Sequence, residues 1–142
     1  MKGWFPTLKA IILCGEGEEG LPPLTLERPL PLLSLFDKPL LAHQAGLLRR
    51  HGVREIGVAL PRLSRMVEDA MGDGEELGVR FTWLPCRGAG ELELLAACAG
   101  FLGEEDALVL PGGGLGDLDL SALLAFHQVH RSAATLALAH RP

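Results

Sequence analysis

Apolar residues along the chain fall into short β-prone runs, separated by stretches in which they recur every three or four positions. The runs are 8–14, 55–60, 80–84, 107–110 and 134–139, and each reads as a strand. Between them the spacing predicts four helices. The first begins at Pro39, a favourable first-turn residue. It passes through Leu40, Leu41, Gln44, Leu47 and Leu48 to His51 and stops at Gly52. The second spans 63–71, with Met66 and Ala70 inward and Gly72 as its stop. The third spans 91–101, with Leu92, Leu95, Ala96 and Ala99 on one face, and the fourth spans 120–130, capped by Asp119 or Ser121. Strands alternating with helices imply a three-layer α/β/α sandwich around a mainly parallel, Rossmann-like sheet, because right-handed crossovers put helices on both faces. The proline-rich stretch 21–31 reads as an extended excursion over that sheet. No repeat or long linker interrupts the pattern, so residues 1–142 are taken as a single domain.

The first predicted strand runs Lys9-Ala10-Ile11-Ile12-Leu13 and opens into Cys14-Gly15-Glu16-Gly17-Glu18-Glu19-Gly20. A buried strand followed by glycines permits a tight turn whose backbone N–H groups can cradle phosphate. Ligands of such sheets sit outside the carboxyl ends of the strands, which gathers residues 15–20, 85–90 and 111–116 around one crevice. The loop nevertheless carries Glu16, Glu18 and Glu19, where a triphosphate needs positive charge. Like charges about 4 Å apart repel by roughly 1 kcal/mol in water and by about 4 kcal/mol at an effective dielectric near 20.

These residues resemble the signature of the sugar-1-phosphate nucleotidyltransferases, K-A-I-I-L-A-G-G-x-G-T-R-L-x-P-L-T followed by P-K-P-L-L-P-V-x-G-K-P-L-L. Residues 9–13, Gly15, Leu21, Pro23, Leu24 and Thr25 match the first part; Pro29, Pro31, Leu32, Leu33 and Lys38 to Leu41 match the second. The likeness continues through 52–56, 77–79, Ala89-Gly90, 117–120 and 134–138. The resemblance, to a family that includes the mannose-1-phosphate guanylyltransferases, implies coupling of a nucleoside triphosphate to a sugar phosphate with release of pyrophosphate. It also implies nucleotide contacts at Cys14, Gly15, Gly17, Gly20, Lys38, Ala89, Gly90 and Gly112. Family catalytic domains are longer, so the chain reads as a truncated N-terminal part.

Departures from the family fall on the residues that would do chemistry. Glu16 and Glu18 replace loop glycines, and Glu19 and Gly20 stand in place of Thr and the phosphate-binding Arg. Leu30 replaces the Lys of P-K-P, and Arg87-Gly88 replace the Gly-Thr of G-T-A-G. Leu110-Pro111-Gly112-Gly113 occupies the place of L-N-G-D, so Gly113 stands where the family has a magnesium ligand. Phosphoryl transfer depends on positioning and on neutralising charge with metal, Lys and Arg. No catalytic or metal-binding residue is therefore assigned, and Mg²⁺ is expected only if activity survives. The competing reading is a misplaced alignment with Asp117 or Asp119 as the ligand, although Asp there also suits a helix N-cap.

Composition narrows the remaining classes. The chain has 142 residues, 48% of them hydrophobic, and a net charge of −5 with no Lys/Arg run. Disorder of the whole and nucleic-acid binding through a basic face are both disfavoured. No apolar run reaches the roughly 18 to 20 residues of a membrane helix, so no membrane partner is expected and the chain reads as soluble. Cys14, Cys86 and Cys98 lack metal-ligand spacing and suggest reduced thiols in the cytoplasm.

Other candidate groups each have a plain alternative. His127 and His130 stand three apart on one predicted helix, a spacing open to a metal but with no third ligand nearby. His43 and His51 read as helix-surface residues. The three loop glutamates could hold a divalent cation or simply be solvated. Lys9 and Lys38 are the retained cations near the crevice, each equally readable as structural.

Three functions follow for test. The first is a catalytically lost nucleotidyltransferase-like module that senses nucleotide or binds a partner, as regulatory subunits do beside active ones in this family. The second is an active enzyme with atypical ligands, and the third an interaction domain with no small-molecule ligand. A nucleoside triphosphate or sugar nucleotide, bound weakly, is the expected ligand. A second copy, or an active nucleotidyltransferase subunit, is the expected partner. Leu136 and Leu138, in a final strand with no helix after it, mark the expected docking edge.

Overall fold

The computed structural model describes residues 8–15, 28–61, 65–87, 90–114 and 116–140. Strands β1 (Lys9–Leu13), β2 (Glu55–Pro61), β3 (Arg80–Cys86) and β4 (Ala107–Pro111) form one four-stranded sheet in the order β3-β2-β1-β4. Every pairing is parallel. Lys9 lies opposite Glu55 on one side and Ala107 on the other, and Glu55 lies opposite Arg80. The first strand in sequence is thus one of the two interior strands, and it is apolar throughout its middle because both of its faces are covered.

Helices α1 (Leu40–Arg50), α2 (Arg65–Met71) and α5 (Leu120–His130) cover the face to which Ala10, Ile12, Ile56, Val58 and Leu108 point. Helices α3 (Glu91–Ala97) and α4 (Ala99–Leu102) cover the other face over Ile11 and Ala59. The chain adds β2 and β3 on one side of β1 and then returns to add β4 on the other. Crossovers of one hand therefore deliver α3 and α4 to the opposite face from α1 and α2. Gly57 permits this close layer: a Cβ there would meet Phe101 Cε1 at 2.8 Å.

The four predicted strands that pair are present within a few residues of their expected limits. The fifth, 134–139, is not a strand: residues 132–140 run without a ladder partner, and Leu138 is 88% exposed. Its alternation of small and large apolar residues suits a strand, but strand pairing needs a neighbour to take the hydrogen bonds. β4 is the sheet edge, and its outer side pairs with nothing among the described residues. The segment is instead anchored through His127, whose Nδ1 bonds Thr135 Oγ1 at 2.8 Å and whose Nε2 lies 3.6 Å from Asp106 Oδ1.

Two helices show a different face from the one expected. In α2 the buried residue is Val67, with Met66 and Ala70 exposed. In α3 and α4 the inward positions are Leu94 and Cys98, four apart, while Leu92 is 82% exposed. Cys98 also ends α3, so the run predicted as one helix is two short ones. Part of the proline-rich excursion is a turn of 3-10 helix, Leu30–Leu32, which buries Pro31 and Leu32.

Candidate functional site

The sheet reverses its direction of growth between β1 and β4, and a crevice outside the carboxyl ends is expected at such a switch point. Here the two strand ends are held tightly together. Gly112 N–H donates to Leu13 O at 2.7 Å, and Cys14 N–H donates to Ala59 O at 2.9 Å across to β2. A Cβ at Gly112 would lie 2.8 Å from Cys14 Sγ and 2.9 Å from Leu13 O, so only glycine fits without a shift. Beyond Gly112 the chain turns back, with Gly114 N–H donating to Pro111 O at 3.1 Å. Gly113, at the tip of this turn, is exposed.

Of the residues expected to meet a nucleotide, Cys14, Gly15 and Gly112 meet at this switch point. Gly90 lies at the same end of the sheet, as the N-cap of α3 after β3. It is two strands from β1, about 10 Å at the usual strand spacing. A Cβ there would make only ordinary contact with Glu93. Lys38 is exposed in a two-residue-looped hairpin in which Ser34–Leu35 pairs with Lys38–Pro39. Gly17, Gly20 and Ala89 lie outside the described residues, as do Glu16, Glu18 and Glu19.

The other retained cation serves the fold. Lys9 Nζ donates to Phe101 O at 2.7 Å and sits 5.1 Å from the Phe101 ring centroid, at the amino end of β1 and away from the crevice. Four of the five histidines likewise have hydrogen-bond partners. His43 Nε2 bonds Leu35 O at 2.7 Å, and His51 Nδ1 bonds Ser121 Oγ at 2.8 Å. His130 Nδ1 bonds Phe126 O at 2.8 Å, its ring stacked on Phe126. Cys98 is buried on the α3 side, where desolvation and then Cys86 push its thiol above the usual range.

At the end of β4 the described residues do not supply the side-chain magnesium ligand that the resemblance implies. Gly113 stands at the end of β4 and offers no side-chain donor. Asp119, one of the two alternative ligands, accepts a hydrogen bond from Ala122 N–H at 3.0 Å and caps α5. Among the described residues no group of three or more His, Cys, Asp or Glu could hold a metal ion.

One residue of the site was read from the sequence only as a position along the first helix. Gln44 is 2% exposed, and its Nε2 donates to Pro111 O at 2.7 Å and to Gly114 O at 2.8 Å. Its Oε1 is buried and has no hydrogen-bond partner among the described residues. The signal was available: a polar residue at an apolar position of the helical period.

Comparison with known proteins places these features. The family model described as nucleotidyl transferase matches residues 9–142. The N-acetylmuramate alpha-1-phosphate uridylyltransferase of Neisseria meningitidis is 37% identical over 118 residues, covering 81% of this chain and 51% of that protein. The mannose-1-phosphate guanylyltransferase of Mycobacterium tuberculosis is 31% identical over 133 residues, covering 91% of this chain and 36% of that protein. This chain therefore spans about half or less of the length of these relatives. Among solved structures, a Bacillus anthracis protein assigned as a glucose-1-phosphate thymidylyltransferase, in complex with sucrose, superposes with a TM-score of 0.77. It is 24% identical over 86% of this chain and 50% of that one, a likeness of fold.

Proposed function

The chain belongs to the nucleotidyl transferase family, and from that premise we propose that it is a nucleotidyltransferase-like unit of sugar-nucleotide metabolism that has kept the nucleotide crevice and lost the chemistry. The observation that carries this reading is Gly113 at the end of β4. The strand ends are assembled, with Gly112 bonded to Leu13 at 2.7 Å, yet the position expected to bind metal has no side-chain ligand atom. Asp119 is not assigned in its place, since one of its carboxylate oxygens caps α5.

Such a unit holds a nucleoside triphosphate or sugar nucleotide weakly and acts through a partner, either a second copy or an active nucleotidyltransferase subunit. No helix among the described residues is long and apolar enough to cross a membrane.

Calorimetric titration with UTP, GTP, ATP and dTTP, with and without magnesium, tests the crevice. Pyrophosphate release in the presence of sugar 1-phosphates tests the chemistry. Binding without turnover is the expected result. Turnover that a Gly112→Ala change abolishes would establish an active enzyme with unfamiliar ligands. No binding to any nucleotide would leave an interaction domain. Replacing Glu16, Glu18 and Glu19 by Gly, Gly and Thr should tighten binding by removing like charge from the phosphate region.

A further inference from the structure

Gln44 uses both hydrogens of its amide on a single turn. Its Nε2 reaches Pro111 O at 2.7 Å and Gly114 O at 2.8 Å, the first and last carbonyls of the four-residue turn that follows β4. The reversed amide would set Oε1 against two carbonyl oxygens, so the orientation is dictated by its surroundings. The side chain is 2% exposed, on a face of α1 otherwise made of Leu41, Ala45 and Leu48. An apolar side chain would fill that space without burying Oε1, which has no partner among the described residues; Pro111 O would keep the Gly114 N–H and the exposed Gly114 O would turn to solvent. A buried polar group with half its capacity unused is a poor device for stability. It is an effective device for fixing where a glycine turn sits, because three successive glycines have little conformational preference of their own.

We propose that Gln44 is a positioning residue. By holding both ends of the Pro111–Gly114 turn from α1, it sets Gly112 and Gly113 against Cys14 and thereby shapes the crevice at the β1–β4 switch point. Its effect on ligand rests on the reading that this crevice holds a nucleoside triphosphate. Its effect on the turn does not. Gln44 touches neither reacting atoms nor ligand and acts only through the turn.

Two variants of the full chain test this. Gln44→Met keeps the length of the side chain and Gln44→Leu its apolar fit, and both remove the two donors. Amide hydrogen exchange at Gly112, Gly113 and Gly114 should accelerate by about tenfold or more in both, with β1 and β2 amides unchanged. The melting temperature should stay within a few degrees of the parent. The nucleoside triphosphate that the unaltered chain binds should then bind about tenfold more weakly. Unchanged exchange across 112–114 overturns the proposal, as does an unchanged Kd in a chain that binds. A general rise in exchange across all strands, or failure of both variants to fold, makes Gln44 a stability residue and also overturns it. Should the unaltered chain bind none of UTP, GTP, ATP or dTTP, the nucleotide reading fails, and exchange at the turn still decides the role of Gln44.

Discussion

Replacing Gly112 by alanine should lower stability by about 3 kcal/mol, although alanine is the smallest side chain that could be added. The new Cβ would lie 2.8 Å from Cys14 Sγ, 2.9 Å from Leu13 O and 3.1 Å from Cys14 Cα. Two of these atoms belong to the backbone of the chain leaving β1, and backbone cannot swing aside as a side-chain tip does. Carbon contacts become favourable at about 3.5–4.0 Å, so β1 and β4 must part by roughly half an ångström. They would part where Gly112 N–H donates to Leu13 O at 2.7 Å. Overpacking costs about 1–3 kcal/mol, and a weakened hydrogen bond about 1 kcal/mol more. In a domain of this size that corresponds to a fall in melting temperature of roughly 10 °C, measured by circular dichroism. Gly46→Ala supplies the control. Gly46 lies within α1, a Cβ there meets nothing within 4 Å, and the change should stabilise by about 0.5–1 kcal/mol. Adding Cys14→Ala to Gly112→Ala should restore less than half of the loss, because Leu13 O and the Cys14 backbone remain. A Gly112→Ala protein melting within about 2 °C of the parent would refute the close approach of the two strand ends.

Three further outcomes are expected. The Ser34–Pro39 hairpin turns through Phe36 at φ 49° and Asp37 at φ 63°, and Phe36 is 86% exposed. Phe36→Asn with Asp37→Gly should therefore raise the urea midpoint, worth about 1 kcal/mol, without changing the slope; no gain would count against the left-handed turn. Leu138→Glu should shift a micromolar dimer or larger species towards monomer in sedimentation, and a monomer indifferent to that charge would defeat self-association through this segment. Burial, and then Cys86, raises the Cys98 thiol, so the unfolded chain ionises first as pH climbs past the ordinary value of 9.0. Stability from this group is intact below that pH and is lost above it, up to the folded value. Cys98→Ala should flatten the alkaline decline, and an unaltered slope would show that the folded thiol is not shifted.

The parallel sheet was legible because strands covered on both faces read as unbroken apolar runs, as 10–13 and 56–60 do. Cys14, Gly15 and Gly112 could be grouped for a related reason: each follows or ends a predicted parallel strand at its carboxyl end, where such sheets open. Two things could not be read locally. Short helices crowded with leucine and alanine offer more than one apolar face. In 91–101 the choice fell to Leu94 and Cys98 because they meet Ile11 and Ala59. Whether 134–139 becomes a strand depends on a neighbour's hydrogen bonds, which its own residues do not supply. Gln44 lay between these cases, since its position along the first helix was plain while its partners, about seventy residues away, were not.

The place of β1 in the interior of the sheet also sets a timetable for the nascent chain. Its partner on one side emerges with β2, but the other is about a hundred residues downstream, since Lys9 pairs with Ala107. At roughly 5–20 residues per second, the ribosome leaves one flank of Ala10-Ile11-Ile12-Leu13 open for several seconds. A strand with that composition and an unfilled edge is a template for wrong pairing with neighbouring chains. The yield of soluble protein should thus depend on translation speed and on chaperones that shield the amino-terminal segment until β4 arrives.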